Sequence, residues 1–269
     1  MVFFPNGKIN LGLHVTGKRA DGYHDLETVF YPVTVKDALE IVRSTRFSFQ
    51  LTGLTVNDPI DNNLCVKAYK ILQKDFPGLP PVRMHLHKVI PMGAGLGGGS
   101  ADAASMLTML NNKFHLELSR EQLLAYALQL GSDCPFFVIN TPCFATGRGE
   151  VLSPIALELT GYKIVLVNPG IHVSTKEAFS TMTPATPAKS VRNIIEQPVE
   201  TWKDELKNDF EKTVFPLYPG IEKIKQNLYN SGAIYASMTG TGSTVFGIFK
   251  TGIPFQLPFP AHQVLHGQG

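Results

Sequence analysis

The stretch Pro91-Met-Gly-Ala-Gly-Leu-Gly-Gly-Gly-Ser-Ala101 holds five glycines in the seven residues from Gly93 to Gly99. Before it, Met84 and Leu86 alternate with two histidines, which predicts a strand that Pro91 ends. After it, apolar residues recur at helical spacing, at Ala103, Met106, Leu107 and Leu110. The chain therefore places a glycine loop between a strand and a helix.

Such a loop is suited to binding a polyphosphate. Glycines allow positive φ and a close approach of the backbone to a ligand, and the start of a helix offers unpaired N–H groups and the positive end of its dipole. Ser100 is predicted to cap the helix and Asp102 to lie in its first turn. A tight turn that binds no ligand is the alternative interpretation.

Two familiar phosphate loops do not fit. A P-loop needs lysine before the serine, but Gly99 directly precedes Ser100. The dinucleotide pattern GxGxxG is matched formally by Gly93, Gly95 and Gly98, yet residues 111–118 lead toward another capped helix instead of a second strand. A dinucleotide-dependent dehydrogenase therefore stays the alternative from another reaction class.

The remaining elements favour an α+β fold. Asn62 or Asn63 can cap a helix that follows a strand at 46–51, and Ser119 opens a capping box for a helix that Gly131 closes. Strands are predicted at 163–167, 234–238 and 244–249, with a helix near 221–228. Because helices and strands alternate irregularly, a doubly wound parallel sheet is disfavoured.

Composition indicates a folded protein in the cytoplasm. The 269 residues are 43% apolar and 17% charged, and the net charge of +2 is spread without long runs, which argues against nucleic acid or a membrane surface as partner. Three cysteines without metal-ligand spacing are expected to be reduced thiols. No signal peptide or spanning segment is expected, and no metal-binding residue is assigned.

The glycine loop resembles the ATP-binding motif of the GHMP kinases, Pro-x-x-x-Gly-Leu-Gly-Ser/Gly-Ser-Ser, with Ala101 as a local departure. Two further family motifs match at 5–12 and 238–244. The segment Asp21-Gly-Tyr-His24, with those at 131–137 and 208–211, is similar to the GHMP kinases that phosphorylate a cytidine-diphosphate substrate in isoprenoid precursor biosynthesis. Homoserine, mevalonate and sugar kinases, and a non-catalytic nucleotide-binding protein, are the alternatives.

The resemblance implies a ribosomal-protein-like N-terminal lobe that binds ATP, residues 1–152, and a C-terminal α+β lobe, residues 153–269, with the site between them. The expected partners are ATP with Mg²⁺ and a small cytidine-diphosphate substrate. A monomer or a homodimer is compatible with the sequence. Neither nucleic acid nor a membrane is expected as a partner.

The resemblance also assigns residues. Asp133 is expected to accept the proton of the acceptor hydroxyl, and Lys8 to lie beside it as a cation that keeps the carboxylate ionised. The acceptor is expected to contact Asn10, Tyr23, His24, Phe30 and Phe179. ATP is expected to contact Lys88, Pro91, Met92, Gly93, Ala94, Gly95, Leu96, Gly97, Gly98, Gly99, Ser100 and Ala101.

Overall fold

The computed structural model describes residues 1–55, 59–260 and 264–268. The strands are β1 Val2–Phe3, β2 Asn6–Lys18, β3 His24–Lys36, β4 Ala38–Arg43, β5 Ser48–Gly53, β6 Val82–Lys88, β7 Cys143–Thr146, β8 Val151–Pro154, β9 Tyr162–Val167, β10 Tyr235–Met238, β11 Val245–Lys250 and β12 Val264–Gln268. The α-helices are α1 Leu64–Asp75, α2 Gly98–Phe114, α3 Arg120–Leu130, α4 Cys134–Ile139, α5 Thr175–Phe179, α6 Val191–Ile195, α7 Trp202–Glu205, α8 Glu211–Leu217 and α9 Pro219–Asn230. The mixture confirms the predicted α+β class.

The chain folds into two compact units that interleave along the sequence. The first comprises Met1–Gly7, Val35–Met92 and Gly97–Asn140, and the second Lys8–Thr34, Gly93–Leu96 and Thr141–Gly269. The sequence instead predicts one boundary between residues 152 and 153, which stays a prediction. The glycine loop contributes residues to both units.

The first unit contains a sheet of order β1-β4-β6-β5, in which β5 and β6 run parallel. Its strand β6 alternates strictly, with Val82, Met84, Leu86 and Lys88 buried. The three apolar members pack in one core with residues of α1 and α2, including Leu107. Burial of each large aliphatic side chain contributes roughly 1.5–3 kcal/mol, so this packing fixes where β6 ends and the loop begins.

Helix α2 begins earlier than the sequence predicts. Gly97, with φ +68°, is the N-cap, and the N–H of Ala101 donates to the Gly97 carbonyl at 2.9 Å. Ser100 therefore lies inside the helix instead of capping it, and Asp102 lies beyond the first turn. The reason is that a left-handed glycine turns the chain directly into the helix, so no side-chain cap is needed.

Two other helix starts agree with prediction. Asn63 caps α1 by accepting from the N–H of Cys65 at 2.9 Å, and Ser119 forms the predicted capping box of α3. Gly131 is the C-cap of α3, as predicted. The sequence analysis missed the short helix α4, which follows immediately and has Asp133 at its N-cap position.

Two further sheets have the order β2-β3-β7-β8 and β10-β11-β9-β12. The pairs β3–β7, β7–β8, β10–β11, β11–β9 and β12–β9 are antiparallel. The predicted strands β9, β10 and β11 and the helix α9 are present within two residues of their expected ends. Residues 183–189 contain neither helix nor strand. Within the described residues, no helix is long and apolar enough to cross a membrane.

Candidate active site

The glycine loop connects the end of β6 to α2 through three left-handed glycines. Their φ values are +63° at Gly93, +78° at Gly95 and +68° at Gly97, while Ala94 and Leu96 between them do not have positive φ. Such an alternation forms the N–H concavities that bind anions in proteins. The 17-residue helix α2 adds its N-terminal N–H groups and the positive end of its dipole. The segment is therefore suited to holding phosphate oxygens.

We expect Gly97→Val to weaken ATP binding about tenfold or more. A β-branched residue at φ +68° is strained by about 1–2 kcal/mol, which the loop relieves by moving. Titration calorimetry with an ATP analogue measures the effect, and Gly78→Val at an exposed site with open space around it is the matched control. Unaltered affinity in the Gly97 variant would mean that this glycine does not shape a phosphate site.

A second glycine turn, residues 238–244, contacts the first part of the loop within the second unit. A Cβ atom at Gly95 would lie 2.0 Å from the carbonyl oxygen of Thr239, so only glycine permits this approach. The hydroxyl of Thr239 also donates to the Gly95 carbonyl at 2.9 Å. The two glycine-rich motifs therefore support one another.

A buried ion cluster joins both ends of the loop in the first unit. Lys88 is 2% exposed, and its Nζ lies 2.7 Å from Asp102 Oδ2 on α2 and also donates to Asp37 Oδ2. Asp37 Oδ1 in turn accepts the N–H groups of Val89 and Ile90 at 2.6 and 2.9 Å. Two carboxylates thus already bind the Lys88 ammonium, so we interpret Lys88 as holding the loop. Direct contact of Lys88 with ATP stays a prediction.

The cluster contains two carboxylates and one ammonium. Burial raises the pKa of Asp102, the pair with Lys88 opposes this, and the nearby Asp37 raises the pKa further, so that it reaches about 7. Burial lowers the pKa of Lys88, but the two carboxylates outweigh it and the net shift is upward. Asp102 Oδ1 has no hydrogen-bond partner among the described residues. The carboxyl group of Asp102 therefore holds a proton more tightly than that of an ordinary aspartate does.

A cavity of about 160 Å³ lies beside this cluster in the first unit. Apolar side chains line most of it, namely those of Phe49, Leu51, Leu64 and Met92. Asn63, Lys88 and Gly99 also line the cavity. Apolar walls with a few polar groups suit a planar heterocyclic base, because its faces need apolar contact and its edge needs hydrogen bonds.

Lys8 lies in the second unit within a polar cluster on β2. It is 3% exposed, and its Nζ donates to Asn10 Oδ1 at 2.5 Å and lies 5.0 Å from the centroid of the Phe30 ring. Asn10 also uses its backbone N–H, which donates to the hydroxyl of Thr239 at 3.0 Å. The structure therefore brings together two of the predicted acceptor residues, Asn10 and Phe30, and the predicted catalytic lysine.

Asp133 belongs to the first unit and lies between α3 and α4. Its φ of −81° and ψ of −17° continue the chain into α4, and its side chain makes no capping bond. Asp133 is partly exposed, and the next residue, Cys134, is fully buried. The Asp133 carboxylate therefore takes no part in capping α4.

The other predicted acceptor residues contact different neighbours. The His24 ring stacks on Phe179, with centroids 4.6 Å apart and planes at 19°, and Phe179 meets Phe210 edge-on at 4.7 Å. Tyr23 is 56% exposed, and the guanidinium of Arg148 lies over its ring, with Cζ 4.8 Å from the ring centroid. The structure thus joins His24 with Phe179, whereas Tyr23 contacts Arg148.

The segment Asn208–Glu211 holds the second glycine turn. Asn208 Nδ2 donates to the carbonyls of Met238 and Gly240 at 2.7 and 2.8 Å, and Glu211 Oε1 accepts from the N–H of Met238 at 2.8 Å. Burial alone raises the pKa of Asp209, but hydrogen bonds from His14, Lys212 and the Val15 N–H outweigh it and lower the pKa to about 2. We interpret this segment as support for the site.

Asp37, Thr28 and Thr239 hold predicted site residues in place, and no motif in the sequence assigns them that role. One signal for the ion cluster was present, since the period-two pattern of β6 places Lys88 on the same side as Val82, Met84 and Leu86. A lysine on a buried face needs carboxylate partners. The identity of those partners could not be inferred, because Asp37 precedes Lys88 by 51 residues.

Comparisons with known proteins agree with the motifs. The family profile described as GHMP kinases N terminal domain matches residues 63–141, and the one described as GHMP kinases C terminal matches residues 190–253. A protein of Azobacteroides pseudotrichonymphae named 4-diphosphocytidyl-2-C-methyl-D-erythritol kinase is 54% identical over 251 residues, covering 93% of this chain and 94% of that protein. One of Parabacteroides distasonis with the same name is 52% identical over 250 residues, with 93% and 92% coverage.

Solved structures show the same fold. The crystal structure of a 4-(cytidine 5'-diphospho)-2C-methyl-D-erythritol kinase matches all of this chain and all of its own, with a TM-score of 0.82 and 30% identity. The mevalonate kinase of Methanococcus jannaschii matches with a TM-score of 0.67 over 93% of this chain and 90% of its own. Its 13% identity shows a common fold alone.

Proposed function

Because this chain belongs to the GHMP kinase family and, within it, to the 4-diphosphocytidyl-2-C-methyl-D-erythritol kinases, we propose that it transfers the γ-phosphoryl group of ATP to the 2-hydroxyl of 4-diphosphocytidyl-2-C-methyl-D-erythritol. This reaction belongs to non-mevalonate isoprenoid precursor biosynthesis. The observation that carries the proposal is 54% identity over 93% of the chain. The left-handed glycines ahead of α2 support a phosphate-binding role for the loop.

ATP binds, in this proposal, along the loop and the cavity of the first unit. The N–H groups between Gly93 and Ala101 hold the phosphates, and the cavity beside Asn63 and Leu64 takes the base. The Asp37–Lys88–Asp102 cluster keeps both ends of the loop in place. Pro91 and Met92 introduce the loop, and Met92 at 46% exposure offers apolar surface to the nucleotide.

Catalysis requires an oriented hydroxyl and compensation of the charge on the transferring group, with little covalent work by the protein. Asp133 acts as the general base and accepts the proton of the acceptor hydroxyl. Lys8 supplies positive charge at the transferring phosphoryl group, and Asn10 orients its ammonium through the 2.5 Å hydrogen bond. Phosphoryl transfer then breaks the bond between the β–γ bridging oxygen and the γ-phosphorus and forms the bond from the acceptor oxygen.

Mg²⁺ arrives, in this proposal, with ATP. Among the described residues no group of three histidine, cysteine or carboxylate side chains is arranged to hold a metal ion alone. We propose that phosphate and water hold the ion for the most part, and that the hydroxyl of Ser100, in the first turn of α2, is the loop side chain that would contact it. When bound, the ion neutralises charge on the β- and γ-phosphates.

The acceptor binds, in this proposal, at the aromatic group of the second unit, by which we mean the stacked rings of His24 and Phe179. His24 and Phe179 already stack, and we place the cytosine ring beside that stack, where the imidazole N–H group or lone pair, which lie in the plane of the ring, can contact the edge of the base. Tyr23 and Phe30 complete the predicted set. We propose further that the enzyme works in the cytoplasm, which its three cysteines without a disulfide support, and that it is a monomer or homodimer.

Product analysis by ³¹P NMR tests the reaction and the position of transfer. Carbon 2 of the acceptor bears a methyl group and no hydrogen, so phosphate on the 2-hydroxyl gives a phosphomonoester signal without three-bond coupling to a carbinol proton. We expect that uncoupled signal after incubation with ATP and Mg²⁺. A signal split by CH or CH₂ protons would place the phosphate on another hydroxyl, and no new signal would remove the proposed activity.

We expect His24→Ala to weaken acceptor binding roughly tenfold to hundredfold and to leave ATP binding unchanged. Loss of a hydrogen bond costs about 0.5–1.5 kcal/mol, and an unsatisfied buried partner about 1–3 kcal/mol, at about 1.4 kcal/mol per factor of ten. Calorimetric titrations with the acceptor and with an ATP analogue measure both.

Two control variants sharpen this test. His24→Phe keeps a ring that stacks on Phe179 but has no N–H, so it should weaken acceptor binding nearly as much as alanine does if the polar contact matters. His87→Ala, at an exposed position of β6, should change neither affinity. Equal weakening of acceptor and ATP by His24→Ala would instead show that His24 supports the fold.

A further inference from the structure

The hydroxyl of Thr28 lies at the centre of a buried hydrogen-bond chain in the second unit. Thr28 is fully buried on β3, and its Oγ1 donates to the carbonyl of Gly12 at 2.5 Å. Asn10 Nδ2 donates to the same Oγ1 at 3.1 Å, and Lys8 Nζ donates to Asn10 Oδ1 at 2.5 Å. The chain therefore runs from the Lys8 ammonium through the Asn10 amide to the backbone of β2.

This chain has a direction that the donor inventory imposes. A threonine hydroxyl has one proton, and that proton is given to Gly12, so Thr28 can offer Asn10 only a lone pair. The Asn10 atom facing Thr28 must then be the NH₂ group. At the other end the ammonium of Lys8 has donors only, so the Asn10 atom facing it must be the oxygen. Both ends select the same orientation of one amide.

Without the Thr28 hydroxyl, only the contact with Lys8 would still favour the observed orientation of the Asn10 amide. Without an acceptor beneath it, the NH₂ group of Asn10 would be buried and unsatisfied, and a flipped amide would direct its NH₂ group at a cation. Either result displaces the ammonium of Lys8, which the proposed mechanism needs at the transferring group. Thr239 contacts Asn10 through the backbone N–H and lies 3.3 Å from Oδ1, so it does not replace the Thr28 acceptor for Nδ2.

We propose that Thr28 is a positioning residue: its hydroxyl fixes the orientation of the Asn10 side-chain amide and thereby the position of the Lys8 ammonium. The catalytic part of this inference rests on the proposed function, because it takes Lys8 as the cation of phosphoryl transfer. The structural part concerns only the amide and needs no substrate.

Steady-state kinetics of Thr28→Val tests the catalytic part. Valine keeps the shape of threonine without the hydroxyl, so kcat should fall about tenfold or more, because small displacements of catalytic groups are costly, while KM for ATP changes less than about twofold. Thr28→Ser restores the hydroxyl and should return kcat to within about twofold of the wild type. Thr141→Val, the same change at an exposed position of the second unit, is the matched control and should have no effect.

A double-mutant cycle separates positioning from a merely structural role. If Thr28 acts through Asn10, Thr28→Val in the Asn10→Ala background should cause no further loss of kcat. An additional loss of about tenfold in that background would overturn the inference. A wild-type kcat in Thr28→Val would overturn it as well.

Side-chain NMR keeps the structural part testable without activity. The ¹⁵N-amide signals of Asn10, identified by their loss in Asn10→Ala, should be protected from exchange with water in the wild type and in Thr28→Ser, and should lose protection in Thr28→Val. If the wild type does not phosphorylate the cytidine substrate, the proposed function fails and this pattern still decides the amide orientation. Unchanged protection in Thr28→Val would overturn the inference.

Discussion

Replacement of Asp133 by asparagine is expected to lower kcat by about 10²–10⁴-fold, the usual contribution of a general base. The amide has nearly the shape of the carboxylate but cannot accept the proton of the acceptor hydroxyl. Asp133 does not cap α4, so the change removes no capping hydrogen bond from that helix. Rapid-quench measurement of product formation, with ATP affinity measured separately by calorimetry, gives the expected split between lost turnover and retained binding.

The matched control for this variant is Asp75→Asn in the same unit. Asp75 is exposed and accepts a hydrogen bond from the hydroxyl of Tyr126, which an amide oxygen can also accept. Its kcat should stay near that of the wild type. If Asp133→Asn also kept near-wild-type turnover, Asp133 would have no part in proton transfer.

Replacement of Lys88 by methionine is expected to lower the free energy of unfolding by about 3–5 kcal/mol at neutral pH. The change leaves Asp37 and Asp102 buried beside each other without the ammonium that bridges them. Removal of one partner of a buried charge network is costly because the remaining charge has lost both water and its counterion. Urea unfolding measured by circular dichroism gives the difference.

The pH dependence of this effect has a definite sign. The pKa of Asp102 is raised to about 7 in the folded protein, against about 3.9 in an unfolded chain, so its contribution to stability falls as pH rises from about 4 to about 7. Without the Lys88 ammonium, which lowers the pKa of Asp102, that carboxyl group holds its proton more tightly still. The deficit of Lys88→Met should therefore grow with pH, being smaller at pH 5 than at pH 8.

Two further variants distinguish lost charge pairing from lost packing. Lys88→Met combined with Asp37→Asn and Asp102→Asn removes the stranded charges and should recover most of the lost stability. Lys67→Met, at an exposed position of α1, should change stability by no more than about 0.5 kcal/mol. A deficit for Lys88→Met that is independent of pH would contradict the charge interpretation.

Local chemistry explains which elements the sequence predicted. Asn63 and Ser119 act as helix caps in the structure as expected, because capping depends on neighbouring residues only. The start of α2 was predicted three residues too late, at Ser100 instead of Gly97, since the left-handed conformation of Gly97 replaces a side-chain cap. Strand β2 was not predicted, although its apolar residues alternate with polar residues or glycine, at Ile9, Leu11, Leu13 and Val15. Its burial on both sides from Gly7 to Leu13 could not be inferred from that pattern, which indicates one buried face only.

Contacts between distant residues explain what the sequence could not give. Asn10 and Thr239 are 229 residues apart, and Lys88 and Asp37 are 51 apart, so their pairing depends on the fold and not on local pattern. The family motifs supply the predicted site residues, and the roles of those residues stay predictions. The fold, and no local pattern, brings Thr28, Asp37 and Thr239 into contact with the residues that they support.

The most direct test of the central claim is a comparison of kcat/KM for four acceptors with the wild-type enzyme, ATP and Mg²⁺. The acceptors are 4-diphosphocytidyl-2-C-methyl-D-erythritol, homoserine, mevalonate and galactose, which represent kinases of the same fold. We predict that the cytidine diphosphate compound is phosphorylated with a kcat/KM at least about a thousandfold above the others, since only it can use both the aromatic group of the second unit and the catalytic residues. A higher kcat/KM for any of the other three would contradict the assignment.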